Sequence, residues 1–182
     1  MEIDEIIDKY YRKIYKLCLF YLNDPEEARD ILQEVFAKVL KKGDTFKGES
    51  GIYTWIYRIA VNTLLNHINR KKILEFISFE SMKDFEAVKE DDDSASSVMD
   101  PAIKWEKNET EKQKIRKLEE CIRALSHREK TAFYFFHYDR LKQKEIAEIM
   151  KTSAAAVESL VHKAMKKIKT CAHDTGYIIK DA

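Results

Sequence analysis

Apolar residues recur every three or four positions along most of this chain, which is the spacing of one face of an α-helix. In the first half, this pattern predicts helices over residues 3–22, 25–40 and 52–72. Residues 42–51 hold three of the four glycines and are predicted to form a loop. No β-hairpin signal interrupts the helical period, so the sequence predicts an all-α protein.

The helical pattern returns from about residue 109. Ser126 and Glu129 have the spacing of a capping box, in which two side chains satisfy free backbone N–H groups at a helix start. Residues 143–169 then read as a short helix, a tight turn and a longer basic helix that Ser153 can cap. Lys151 lies where such a turn often needs a left-handed residue, at a cost of about 1 kcal/mol.

This last motif is predicted to be a helix–turn–helix, whose second helix fits the DNA major groove. Its basic face carries side chains that can contact phosphates or base edges, among them Ser159, His162, Lys163 and Lys166. The alternative is an ordinary helical hairpin with a solvated lysine face. The motif therefore needs support from the rest of the chain.

Residues 73–108 differ from the flanking segments because they are acidic, and residues 90–97 within them are also poor in large apolar side chains. Such a composition favours a flexible linker without fixed structure in isolation. We expect two small helical domains, at residues 1–72 and 109–176, joined by this acidic linker. The tail after residue 175 ends the second domain.

Composition narrows the class of protein. A chain of 182 residues with 45% hydrophobic content can form one or two cores, and 4 glycines with 2 prolines suit helices. The cysteines Cys18, Cys121 and Cys171 are odd in number and lack metal-ligand spacing, so neither a zinc site nor a disulfide is predicted. No cofactor motif is present. No membrane-spanning run and no secretory signal is visible, so we expect a cytoplasmic protein.

The formal net charge of +1 conceals segregated charges. Residues 73–110 hold 4 Lys/Arg against 11 Asp/Glu, whereas residues 52–72 hold 4 Lys/Arg and no acid. Residues 137–170 hold 8 Lys/Arg against 4 Asp/Glu. Two basic segments that flank an acidic one suit a protein that contacts a polyanion at two places, although charge runs are also common on solvated faces.

Two further helices carry candidate chemistry. In the helix over 25–40, Asp30, Gln33 and Glu34 lie within one turn and could form a compact acid and amide patch. The helix over 52–72 interleaves aromatic rings, amides and arginines, which together can hold an opened nucleic-acid strand. Trp55 could equally be a core anchor, since large aromatic residues dominate cores.

The helix over 25–40, the helix over 52–72 and the helix–turn–helix over 143–169, in their order and spacing along the chain, resemble the bacterial sigma factors of the sigma-70 superfamily, in the extracytoplasmic-function (ECF) group. The segment 24–36 resembles the family's polymerase-binding helix. The segment 54–62 resembles the helix that recognises and melts the minus-ten element. The segment 125–164 resembles region four, which reads the minus-thirty-five element.

The resemblance implies a sigma factor that binds core RNA polymerase and promoter DNA, and an anti-sigma factor as a further partner. By position, the polymerase contacts would be Asp30, Gln33, Glu34 and Phe36. The loop 43–51 would help to hold a flipped base, and the minus-ten contacts would be Tyr53, Trp55, Arg58, Asn62, Asn66 and Arg70. The minus-thirty-five contacts would be Ser153, Ala155, Ala156, Glu158, Ser159, His162, Lys163 and Lys166.

The main alternative is a dimeric helix–turn–helix regulator that acts on duplex DNA at palindromic sites. It leaves the acid and amide patch and the acid-free helix over 52–72 unexplained. A helical adaptor without a nucleic-acid role is a second alternative. An enzyme is disfavoured because the sequence holds no paired catalytic groups, phosphate loop or metal spacing, and no small-molecule substrate or membrane insertion is expected.

Overall fold

The computed structural model describes residues 3–43, 46, 48, 51–81 and 109–174. The chain divides into two compact units, Met1–Ser96 and Ser97–Ala182. The described residues form seven α-helices and no strand. The prediction of an all-α protein with two helical domains is confirmed.

The first unit contains three helices that pack on one another, α1 (Ile3–Leu22), α2 (Pro25–Lys42) and α3 (Ile52–Ser81). Their apolar faces meet in a core of fully buried side chains, because each helix repeats its apolar residues at the helical period. Large side chains that are fully buried in this core include Ile14, Leu17, Leu32, Val35, Ile56, Tyr57 and Leu64.

The break between α1 and α2 forms as its sequence predicts. Asp24 has extended backbone angles, and its Oδ1 accepts the backbone N–H groups of Glu26 and Glu27 at 2.8 and 2.9 Å. Pro25 takes the first helical position, where its missing N–H costs nothing. Asn23 has a φ of 57°, a left-handed conformation that asparagine adopts more readily than most residues.

α3 runs to Ser81, nine residues beyond the end that the sequence predicted. The prediction of a linker from residue 73 is therefore wrong over 73–81. This stretch contains no glycine or proline to stop a helix, so the helical conformation continues into the segment that the charge count marked as linker. The predicted linker residues 82–108 lie outside the described residues, as do most of the loop 43–51 and the tail from 175.

The second unit contains α4 (Glu109–Arg123), α5 (His127–His137), α6 (Gln143–Met150) and α7 (Ala154–Asp174). α7 is its central element and packs against the other three. Its inner face is an apolar stripe at helical spacing. The stripe consists of Val157, Val161, Ala164, Ile168 and Ala172, all buried.

A disulfide joins Cys121 of α4 to Cys171 of α7, with 5.8 Å between the two Cα atoms. The expectation of a chain without a disulfide is therefore wrong. The two cysteines are 50 residues apart in sequence, and only the packing of α4 on α7 brings them together. Cys18 is free and buried in the first unit. Over the described ranges, no helix is long and apolar enough to cross a membrane.

Candidate nucleic-acid interface

The acid and amide patch on α2 forms as predicted. Asp30 and Gln33 are exposed, and Glu34 is half-buried beside them. Lys38 Nζ donates to Glu34 Oε1 at 2.6 Å and to Thr63 Oγ1 of α3 at 3.1 Å. Glu34 is thus held in place by a lysine that also contacts the next helix, while Asp30 and Gln33 project to solvent.

Phe36 does not share this surface. Only 7% of the residue is exposed, and its ring stacks on Tyr11 of α1 with the ring centroids 6.3 Å apart. Tyr11 itself is 48% exposed and covers Phe36 from the solvent side. Phe36 therefore belongs to the core of the first unit, and a partner that approaches this side would meet Tyr11 first.

A row of polar side chains runs along α3 at every fourth position. Asn62, Asn66 and Arg70 are exposed, and Arg58 at the start of the row is half-buried. Residues four apart lie above one another on a helix, so the row is one continuous strip of amides between two guanidinium groups. The opposite side of α3 is core, which leaves this strip as its outward face.

The two aromatic candidates on α3 have different surroundings. The half-buried Trp55 ring lies 5.2 Å from the Phe46 ring, at an angle of 47°. The Tyr53 ring lies 4.4 Å from the ring of the fully buried Tyr57, and Lys13 Nζ lies 5.4 Å from its centroid. Tyr53 is thus packed against the core, whereas Trp55 packs on Phe46 of the loop that precedes α3.

A further polar contact between α2 and α3 has no signal in the sequence. Glu27 Oε1 lies 2.7 Å from His67 Nε2 and 3.1 Å from Lys71 Nζ. Burial alone would raise the pKa of Glu27, but the hydrogen bonds from His67 and Lys71 outweigh it, and the pKa is lowered. Glu27 thereby fixes the start of α2 against the later turns of α3.

The helix–turn–helix consists of α6 and α7 with Lys151 to Ser153 between them. Lys151 has the left-handed angles φ 50° and ψ 55°, as the turn requires. Ser153 caps α7 by accepting the backbone N–H of Ala156 on its Oγ at 3.2 Å. Both features were predicted, including the strained lysine where a glycine is usual.

The outer face of α7 carries the predicted duplex-facing set. Ala155, Glu158, Ser159, His162, Lys163 and Lys166 are exposed, and Ala156 is half-buried. Together they occupy the sides of the helix that the buried stripe leaves open. Three of the set are cationic or can become so, two are alanines and one is acidic. None is an arginine, whose planar guanidinium can pair with two acceptors on a base, so the face is better suited to contacts with phosphates than to base recognition.

Buried charges behind α7 were missed in the sequence. Glu129 forms the predicted capping box with Ser126, but its Oε2 also accepts a hydrogen bond from Lys167 Nζ at 2.8 Å. This bond chiefly lowers the pKa of Glu129, Ser126 adds to the effect, and burial opposes it. The neighbouring Lys130 is 7% exposed, and burial together with the charge of Arg123 lowers its pKa to about 8.

Comparison with known families agrees with both halves of this arrangement. The family model for sigma-70 region 2 matches residues 6–73, and the model for sigma-70 region 4 matches residues 115–168. The RNA polymerase sigma-H factor of Pseudomonas aeruginosa is 31% identical over 168 residues, which cover 91% of this chain and 83% of that protein. The chain is a sigma factor of the sigma-70 family, in the ECF group.

Other relatives support the same assignment for this sigma factor. The ECF RNA polymerase sigma factor SigW of Bacillus subtilis is 29% identical over 167 residues, which cover 91% of this chain and 86% of that protein. A solved structure of the sigma factor RpoE with the anti-sigma factor NepR from Bartonella quintana matches with a TM-score of 0.68. That match covers 93% of this chain and 96% of the other at 15% identity, and it supports the fold.

The sigma factor thus has its region 2 in the first unit and its region 4 in the second. The presence of both regions in one chain favours a sigma factor over a dimeric helix–turn–helix regulator, which accounts for only the second. Its function is to direct RNA polymerase to promoters and to start transcription.

Proposed function

We propose a division of this function among three surfaces. The exposed face of α2 at Asp30, Gln33 and Glu34 binds core RNA polymerase. The polar row of α3 holds the melted strand of the minus-ten element, and the outer face of α7 binds the minus-thirty-five duplex. The protein acts by binding alone, without catalysis of its own, in the cytoplasm where polymerase and DNA meet.

The observation that carries this proposal is the row Arg58, Asn62, Asn66 and Arg70. Amides can hydrogen-bond to the edges of unpaired bases, and guanidinium groups can hold phosphates at each end of the row. Residues 52–72 contain no acid that would repel a strand. Trp55, half-buried near the loop, adds an aromatic face on which an unstacked base gains about 1–3 kcal/mol.

The α7 face supports a contact with duplex DNA that is weaker and less selective than one made through arginine side chains. Lys163 and Lys166 are exposed point charges, which suit phosphates better than the paired acceptors of guanine. Binding by the second unit should therefore be modest and should fall steeply with salt. Modest affinity suffices because polymerase and the first unit share the work of holding the promoter.

An anti-sigma factor is a further proposed partner. One structural relative is the sigma factor RpoE solved with the anti-sigma factor NepR, and another is CnrH solved with the cytosolic domain of CnrY. A regulator of this kind would act most simply by covering the α2 face or the α7 face.

The decisive experiment adds the purified protein to core polymerase and measures transcripts from genomic fragments of the source bacterium. Promoter-specific initiation that requires the protein is expected. Absence of initiation on every genomic fragment would contradict the proposal.

A second experiment tests the row itself with Asn62→Ala and Asn66→Ala together. We expect polymerase binding to persist while strand opening, read by permanganate reactivity of unpaired thymines, falls. The control is Gln113→Ala, which removes an exposed amide from α4 in the second unit. If the α3 variant opened promoter DNA as well as the wild type does, the assignment of the melted strand to α3 would be wrong.

A further inference from the structure

The Cys121–Cys171 disulfide connects α7 to the helix behind it. Cys121 is 3% exposed, whereas Cys171 is half-buried with a side open to solvent. α7 also contacts its neighbours through the apolar stripe and through the ion pair of Lys167 with Glu129. The disulfide is a covalent cross-link near the C-terminal end of α7, the helix whose outer face is proposed to bind DNA.

An open depression of about 490 Å³ leads to the bridge. Lys163, Lys166, Lys167, Thr170 and Cys171 line it, and they follow one another along a single side of α7. Lys167 is ion-paired with Glu129, while Lys163 and Lys166 are exposed. Among the described residues that line the depression, Cys171 alone carries a sulfur, so a reagent that enters meets positive charge first and then one sulfur of the pair.

We propose that this depression is a thiol–disulfide exchange site, and that opening the bridge there weakens the hold of α7 on promoter DNA. The chemical class of the co-reactant is an anionic thiol, as a small molecule or on the surface of a dithiol protein. The second half of the proposal rests on the proposed function of α7, whereas the exchange chemistry does not.

The reaction balances as an ordinary exchange. The thiolate of the reductant attacks Sγ of Cys171, and the sulfur of Cys121 leaves as a thiolate and takes a proton from water. A second thiol of the reductant then attacks the mixed disulfide, releases Cys171 as a thiol and leaves as the oxidised reductant. Two electrons pass to the protein, and a disulfide oxidant reverses the sequence.

The thiol attacks Cys171 because this sulfur can be reached from solvent. An anionic thiol is preferred because the lysines that line the depression are positively charged. Clefts that carry one sign of charge raise the local concentration of oppositely charged reagents. Cys18 does not compete, because it is buried and burial raises the pKa of its thiol to about 12, so it stays protonated. The native protein thus presents one reactive position.

DNA binding and exchange compete for the same lysines. Lys163 and Lys166 line the depression and also belong to the face proposed for the minus-thirty-five duplex. A bound duplex should therefore shield Cys171 and slow its exchange with a thiol. Opening also frees the end of α7 from α4, which loosens the frame on which those lysines are held.

The first test measures bridge opening in the purified full chain by mercaptoacetate, an anionic thiol, and by 2-aminoethanethiol, a cationic one. Each rate is divided by the rate of the same thiol with a neutral small disulfide. We expect the normalised rate to favour mercaptoacetate by about tenfold. In acid-quenched and alkylated samples, the mixed disulfide should lie on Cys171 and the alkylated thiol on Cys121.

The preference should disappear in Lys163→Gln with Lys166→Gln, and in about 1 M salt, where charges are screened beyond about 3 Å. It should persist in Lys142→Gln with Lys144→Gln, which removes two exposed lysines elsewhere in the same unit. Equal normalised rates for the two thiols, an adduct on Cys121, or free thiols at both positions after purification in air would each overturn the exchange site.

The second test compares the oxidised protein, the reduced protein and the Cys171→Ala variant, with folding checked by circular dichroism. We expect polymerase binding to be equal and initiation on a promoter that depends on its minus-thirty-five element to fall by about fivefold without the bridge. Cys121→Ser serves as a second unbridged variant. Promoter complexes should also slow bridge opening.

The outcomes separate the two proposals. Equal initiation by oxidised and reduced protein would overturn the effect on DNA binding while leaving the sigma-factor surfaces intact. Failure of the oxidised protein to initiate anywhere would instead contradict the proposed function, and the exchange rates would still decide the site.

Discussion

Lys167 Nζ lies 2.8 Å from Oε2 of Glu129, the carboxylate that also closes the start of α5. The same oxygen accepts hydrogen bonds from the backbone N–H and the hydroxyl of Ser126, at 3.0 and 2.8 Å. A capping box usually serves one helix. Here a single buried carboxylate caps α5 and holds the middle of α7 against it.

Replacement of Glu129 by glutamine should destabilise the second unit by about 2 kcal/mol at pH 7, because hydrogen bonds to a buried charge are lost. The pKa of Glu129 is lowered below its ordinary value of 4.5, so its contribution is complete above that value and is lost as the pH falls through the folded pKa. Hydrogen exchange of α5 and α7 between pH 7 and pH 3 measures this.

The wild type and Glu129→Gln should therefore converge in stability at acid pH. Glu158→Gln, at an exposed position on α7, is the control and should follow the wild type throughout. A constant difference between Glu129→Gln and the wild type at all pH values would contradict the charge argument.

Lys130 gives the opposite dependence. Burial, helped by Arg123, lowers its pKa from 10.5 to about 8, so between these values the folded state has released a proton that the unfolded state still holds. Stability must then rise with pH across this window. Lys130→Met should flatten the rise and stabilise the second unit by about 2 kcal/mol at pH 7, because it removes a charge from a buried position.

The measurement is the difference in urea stability between Lys130→Met and the wild type from pH 7 to about 9.5, below the ordinary range of tyrosine ionisation. A difference that does not shrink with pH would show that Lys130 is not the titrating group. Lys144→Met, at an exposed position, should give no pH-dependent difference.

The left-handed Lys151 should be improved by glycine. Its φ of 50° costs a residue with a Cβ about 1 kcal/mol, so Lys151→Gly is expected to stabilise the second unit by that amount. Lys163→Gly, in the interior of α7, should destabilise by about 1 kcal/mol and shows that the gain is specific to the turn. Thermal unfolding reports both, and a loss at Lys151→Gly would disprove strain there.

Gln33→Ala with Glu34→Ala should weaken binding to core polymerase while leaving the fold intact. Gln33 is exposed and Glu34 is half-buried, so little core is disturbed. We expect a loss of about tenfold or more in affinity, measured by fluorescence anisotropy with core polymerase, since a few polar contacts often dominate such surfaces. Gln113→Ala with Glu120→Ala on α4 is the matched control, and equal affinities for the two pairs would refute the α2 assignment.

Most helices were predictable because their signals are local. The caps at Asp24, Ser126 and Ser153 and the apolar period lie within a few residues of each boundary. The predicted end of α3 is too early because two signals conflict over residues 73–81. The acidic composition favours a linker, whereas the absence of glycine and proline allows the helix to continue, as it does.

The features that were missed are all non-local. Cys121 and Cys171 are 50 residues apart, and Lys167 meets Glu129 across 38 positions. Nothing near Glu129 distinguishes a buried carboxylate from an exposed one. Phe36 was placed on the polymerase surface by its position in the motif, whereas packing against Tyr11 puts it in the core.

α2 and α3 are joined by polar contacts at three levels, at Glu27 with His67, at Glu34 with Arg70 and at Lys38 with Thr63. Contacts on separate turns oppose rotation or sliding of one helix on the other. The pair is therefore a spacer of fixed length. In the proposed function, polymerase binds the outer side of α2, and the distance from that contact to Asn62 and Asn66 is then set by the fold, so the protein itself would determine the position at which the duplex opens.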